Sequence, residues 1–228
     1  MEQTINIPVP GVITSTQFVD PAVSRVKFER ELALFKSIED TNRERGIILL
    51  QAEFPDIILA FTAYKVRPVT VVFTVKVNFT NYDVEPPSVQ FIDALTHELV
   101  RVEQLPTRLK RKVPVVVQVP AGDGQTTTVP GEADQALIQF HEPHNIPFLC
   151  LAGIREYHAH PAHSNDPWLN HRGKSEGTLG FLIEQLLTYG TNPITGMIPQ
   201  AVSVHPIGPS SMNVQFSGIT FLQSEVPR

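Results

Sequence analysis

From Val69 to Phe79 the chain alternates strictly. Val71, Phe73, Val75, Val77 and Phe79 fall on one face, and Val72, Thr74, Lys76 and Asn78 on the other. A repeat of two residues is the signature of a β-strand. One strand cannot stand alone in water, so it needs neighbours. Two further β-prone runs lie between Ile47 and Tyr64, broken at Phe54-Pro55-Asp56, and a short run spans Ser88 to Ile92. The reading is a meander of three or four antiparallel strands.

Helical periodicity flanks it. Asp20 suits an N-cap and Pro21 the first helical position. Phe28, Leu32, Phe35 and Ile38 then form an apolar stripe, and Gly46 follows Arg43 and Arg45 as a stop. This predicts a helix over 21–45. Leu179, Leu182, Ile183, Leu186 and Leu187 make a second stripe before Gly190, predicting a helix over 175–189. The fold class is therefore mixed α/β, of the α+β kind, with an antiparallel meander packed against an N-terminal helix and a C-terminal leucine-rich helix.

A chain of 228 residues holds one large domain with an insertion. Residues 1–19 read as an N-terminal arm and 20–190 as the domain. Residues 100–136 read as an insertion: a basic run from Arg108 to Lys112, a valine run to Pro120, then a Gly/Thr-rich loop. The valines are placed to form a hairpin with Thr126–Val129. The basic run reads as a solvated face, with a docking site for an acidic partner as the alternative. Residues 191–228 form a Pro/Gly-rich extension packed on the domain.

The formal net charge of -5 argues against a nucleic-acid backbone as the main partner. No apolar run approaches ~20 residues, so no membrane span is expected. The first residues lack a basic region followed by an apolar stretch, which points to the cytoplasm. Cys150 is the only cysteine. It reads as a nucleophile, a metal ligand or a small buried apolar residue. Six of the eight histidines, His141, His144, His158, His160, His163 and His171, crowd around it in sequence, as does the single tryptophan, Trp168.

Two chemistries fit this cluster. A thiolate nucleophile needs a nearby base or cation, and the histidines are within sequence reach. Cys150, Glu156, His158 and His160 also make a zinc-type donor set, with His158 and His160 on one side of a strand and His163 as a further option. No Walker A, dinucleotide-binding or nucleophile-elbow pattern is present.

The stretch Phe73 to Ile92 resembles the central signature of the ubiquitin-conjugating (E2) family. Tyr82 takes the place of the tyrosine in its crossover, Asp83 stands where the first proline would be, and Pro86-Pro87 complete the turn. Phe148-Leu-Cys-Leu151 is similar to the family's cysteine segment, and Pro143-His144-Asn145 to its His-Pro-Asn box with two residues exchanged. The resemblance covers roughly 20–100 and 138–190. It implies a UBC-like fold and a thioester carrier. Cys150 would accept a ubiquitin-like protein from an E1-like enzyme, with His144, Asn145 and His141 assisting and no cofactor. It also implies that the N-terminal helix meets the E1, through Arg25, Lys27 and Arg30. Asn145 stands only five residues before Cys150, a shorter gap than the family's.

Cys150, Glu156, His158 and His160 are also similar to the Cys-Glu-His-His pattern of a bacterial family expected to bind metal. Its members lie beside genes for ubiquitin-like, E1-like and JAB-type peptidase proteins. Both resemblances imply one setting, a bacterial ubiquitin-like conjugation pathway, used in antiphage defence. The alternatives within it are a zinc-binding E2-fold protein and an inactive E2-like adaptor.

Overall fold

The computed structural model describes residues 16–121, 124–142 and 144–224. Pro143 and most of the N-terminal arm lie outside the described residues. Helix α1 runs Pro21–Ser37, and the Asp20 side chain accepts from the Ala22 amide at 2.9 Å. Phe28, Glu31 and Phe35 share its buried face. The expected continuation to 45 is broken at Ile38, whose backbone leaves the helical region. Ser37 Oγ donates to the Leu34 carbonyl there, competing with the helical ladder. Glu39 and Asp40 then open a second helix, α2 (Glu39–Glu44), with acidic residues at its positive end. Ile38 is exposed and does not extend the stripe.

Four strands follow: β1 (Ile47–Glu53), β2 (Asp56–Thr62), β3 (Val71–Asn78) and β4 (Ser88–Ile92). They form one antiparallel sheet in sequential order. Leu59 pairs with Val75, and Val75 with Phe91. All three are essentially fully buried, as are Ile57, Phe61, Val77 and Phe79. Phe28 sets its ring edge-on against Phe79, which docks α1 on the sheet.

The crossover from β3 to β4 is anchored from three sides. Asn81 is fully buried, and its side-chain oxygen accepts from the Phe18 and Val19 amides. The Asp83 carboxylate pairs with Lys27 and Arg172. Trp168 Nε1 donates to the Asp83 carbonyl at 3.0 Å. Lys27 is thus engaged within the chain. So are Arg30, which pairs with Glu31, and Arg25, which lies over the Phe54 ring.

The inserted hairpin is present as β5 (Lys110–Pro120) and β6 (Thr126–Ala136), with Val117 opposite Val129. A short hairpin, β7 (Ile138–His141) and β8 (Ile146–Leu149), then leads into α3 (Arg155–Ala159). Helix α4 runs only Leu179–Leu186 and ends in a wider turn over 187–191. It starts late because Gly177, at φ +78, interrupts the helical backbone and Thr178 caps from the next position. Leu179, Leu182, Ile183 and Leu186 fill the face that the stripe predicted.

The C-terminal extension forms one long ribbon: β9 (Ile194–Gly208) and β10 (Ser211–Gln223). Each strand of a two-stranded ribbon has one unpaired edge, the setting in which prolines such as Pro199 and Pro206 can stand within strands. Its base packs on the core through Ile194, Met197 and Phe221, and residues 205–215 are exposed. No helix among the described residues is long and apolar enough to cross a membrane.

Candidate functional site

Strand β8 delivers Cys150. Phe148 and Leu149 are buried anchors, and the Cys150 amide donates to the Leu137 carbonyl at 2.7 Å. Cys150 is 8% exposed, at the wall of a cleft of about 290 Å3. Arg111 and Gln135 from the β5–β6 hairpin line one part of it, and Tyr157, His163 and Glu176 line others.

His163 Nε2 stands 3.4 Å from Cys150 Sγ. The imidazole stacks on Tyr157, with ring centres 3.9 Å apart. Tyr157 in turn donates to Asp166 Oδ2 at 2.9 Å, and His171 Nε2 lies 2.7 Å from Asp166 Oδ1. His158 completes the support. Its Nε2 accepts from the Gly153 amide, so its proton sits on Nδ1 and is donated to the Asp166 carbonyl at 2.8 Å. One aspartate thus fixes three aromatic rings behind the cysteine's partner.

Burial pushes the Cys150 thiol pKa up, and the Arg111 guanidinium pulls it back. Burial holds the His158 ring below its usual range, in keeping with a neutral ring that donates and accepts. His171 and Tyr157 hold the Asp166 carboxyl low.

The residues expected beside Cys150 lie elsewhere. His144 and Asn145 occupy the β7–β8 turn, at the far end of β8. At about 3.3 Å per residue, the strand puts roughly 16 Å between Asn145 and Cys150. Asn145 donates to Glu103 instead, and its carbonyl accepts from Val102. The His141 backbone pairs with Ile146 at the same end of the hairpin, and its side chain lies outside what is described.

The four expected zinc ligands are not gathered either. Glu156 is fully buried, and its two oxygens accept from Ser88 Oγ and the Val89 amide. Both nitrogens of His158 are used, and His160 stacks on Phe148. His158 and His160 stand on α3 and at its end, not on a strand, so they do not face one way. Among the described residues no three His, Cys, Asp or Glu side chains are placed to share an ion. As placed, this donor set does not form a zinc site: the Glu156 oxygens and both His158 nitrogens already have partners, and the His160 ring is stacked on Phe148.

The partner of the thiol, His163, did not stand out among six histidines. Arg111 was hidden in a run that reads as solvated. The one available signal was the turn chemistry of Pro161, which makes a tight return after α3.

Glu156 carries a prediction of its own. Burial raises its carboxyl pKa above the ordinary 4.5. The folded state then binds the proton more tightly than the unfolded chain. The stability this contributes is present below pH 4.5 and is lost as pH rises through the raised value. Glu156→Gln keeps both contacts with a neutral amide, its oxygen accepting from the Val89 amide and its nitrogen donating to Ser88 Oγ. Urea midpoints measured from pH 4.5 to about 8 are expected to fall for the wild type and to stay flatter for the variant. Parallel curves would show that the carboxyl is not the group titrating.

Comparison with known proteins adds a family. The family model described as Y4jH-like, Y4jH family, matches residues 19–194, which hold the sheet, the inserted hairpin and the whole Cys150 cleft. The uncharacterized protein y4jH of Sinorhizobium fredii (strain NBRC 101917 / NGR234) is 39% identical over 184 residues, 78% of this chain and 86% of that protein. The chain belongs to the Y4jH family.

Proposed function

We propose that this protein is an E2-like carrier, which takes the C-terminal acyl group of a ubiquitin-like protein from an E1-like enzyme as a thioester on Cys150. The observation that carries the reading is the pair formed by Cys150 Sγ and His163 Nε2, 3.4 Å apart at a cleft wall. A base at hydrogen-bond range from a thiol is what acyl transfer to sulfur requires. The frame around it supports the reading: N-terminal helices, a sequential antiparallel meander, a crossover and a cysteine before a leucine-rich helix.

His163 takes the thiol proton as the sulfur attacks the incoming thioester. It returns that proton to the departing E1 thiolate as the intermediate collapses. Glu156, His158 and Asp166 shape the site without entering the reaction.

The experiment combines purified protein with a candidate E1-like enzyme and ubiquitin-like protein, and with ATP. A non-reducing gel is expected to show one adduct that thiol reagents cleave. Cys150→Ser is expected to convert it to an adduct that resists thiols and yields to alkali, and Cys150→Ala to abolish it. An adduct that survives Cys150→Ala, or specific binding of the ubiquitin-like protein with no adduct, would replace the carrier with an adaptor.

A further inference from the structure

We infer that Arg111, brought to Cys150 by the inserted β5–β6 hairpin, holds the oxyanion formed when an acyl group is transferred to that sulfur. The inference rests on the carrier reading for its biological substrate, but not for its chemistry.

Acyl transfer to sulfur passes through a tetrahedral intermediate with a negative oxygen. A donor must face that oxygen. Asn145, the side chain that the family resemblance offers, is at the other end of β8 and engaged with Glu103. Among the described residues lining the cleft, Arg111 carries the one permanent positive charge. Its placement is built rather than incidental. Arg111 sits opposite Gln135 in the β5–β6 ladder, and its Nε donates to Gln135 Oε1 at 2.8 Å. That bond orients the guanidinium and leaves both terminal nitrogens as donors. The neighbouring Lys112 pairs instead with Asp134, away from the cleft. Alternation along a strand explains why two adjacent basic residues take opposite sides.

The groups facing Cys150 divide the work. Its proton passes to His163 Nε2. The sulfur forms a bond to the carbonyl carbon, and the π electrons move to oxygen, where Arg111 meets them. When the carbonyl reforms, the donor's bond to carbon breaks and the leaving group departs with the pair. No oxidation occurs. Tyr157 holds His163 from behind, and Glu176 stands on the α4 side of the cleft.

The test exploits the single cysteine and needs no protein partner. Acetyl transfer from p-nitrophenyl acetate to Cys150 requires an oxyanion, whereas alkylation by iodoacetamide does not. Both are followed by intact mass. Arg111→Ala is expected to slow acetylation about a hundredfold, while alkylation changes by no more than about threefold. Arg111→Lys is expected to retain an intermediate rate, and added guanidinium chloride at low millimolar concentration to restore part of the rate lost in Arg111→Ala. The inference fails if acetylation is unchanged, or if acetylation and alkylation fall by the same factor. It also fails if guanidinium restores nothing while Arg111→Lys behaves as Arg111→Ala. Should Arg111 pass and no ubiquitin-like protein load Cys150, the carrier reading falls alone.

Discussion

Replacing His163 with alanine is expected to slow loading of Cys150 by roughly two to four orders of magnitude. The Cys150 thiol is buried, and burial disfavours the thiolate. A nucleophile in that position depends on a base at contact range, and Nε2 at 3.4 Å is the group there. A loss of this size corresponds to about 3–5 kcal/mol of transition-state stabilisation. The measurement is single-turnover loading with E1 in excess, followed on non-reducing gels. His163 also stacks on Tyr157, so alanine removes packing as well as a base. His163→Phe separates the two, because it keeps a ring on Tyr157 and removes the nitrogen. Phenylalanine and alanine are expected to load equally slowly. Loading by His163→Phe at the wild-type rate would assign the histidine a packing role only.

The frame of the molecule was legible because it is periodic. Alternation from Val71 to Phe79 set the strand and the burial of Phe73, Val75, Val77 and Phe79, but Val71 is exposed and Val72 and Thr74 on the other face are buried as well; the leucine stripe at 179–186 set the helix that packs on α1. Boundaries were less legible, since single residues decided them. Ser37 ended α1 by bonding the Leu34 carbonyl, and Gly177 delayed α4 through a positive φ.

The site was legible only at Cys150. Its partners come from three separate segments, and their directions depend on tertiary register. Arg111 reaches the cleft because β5 pairs with β6 so that Arg111 faces Gln135; a shift by one residue would present Lys112 instead. Asn145 fails to reach because strand length, not sequence adjacency, sets its distance from the cysteine. His163 is selected among neighbouring histidines by a tight turn and by a stack on Tyr157. The donor pattern Cys-Glu-His-His suggested a metal because spacing alone cannot reveal that Ser88 and Val89 already satisfy Glu156.

Gly153→Ala is expected to cost about 3 kcal/mol, from a left-handed backbone that penalises a side chain and from overlap in a packed site. Gly153 has φ +94, and a Cβ there would stand 2.5 Å from the Gly177 amide nitrogen and 3.0 Å from the Glu176 carbonyl carbon. These are backbone atoms, so no rotamer change relieves the overlap. The two loops it joins are those that flank the cleft: one follows Cys150, and the other carries Glu176 into α4. Gly177 repeats the constraint from its side, since its own Cβ would meet Trp168 at 2.6 Å. For a chain of this size such a loss lowers Tm by roughly 6–12 °C. Loading is expected to fall further than the folded fraction does, because the loops must separate where Cys150 and His163 are held in register. Thermal melts and loading rates on the same sample check both parts. Wild-type Tm in Gly153→Ala would mean that the two loops are not pressed together. A lower Tm with an unchanged loading rate below the melt would show that their contact serves the fold and not the cleft.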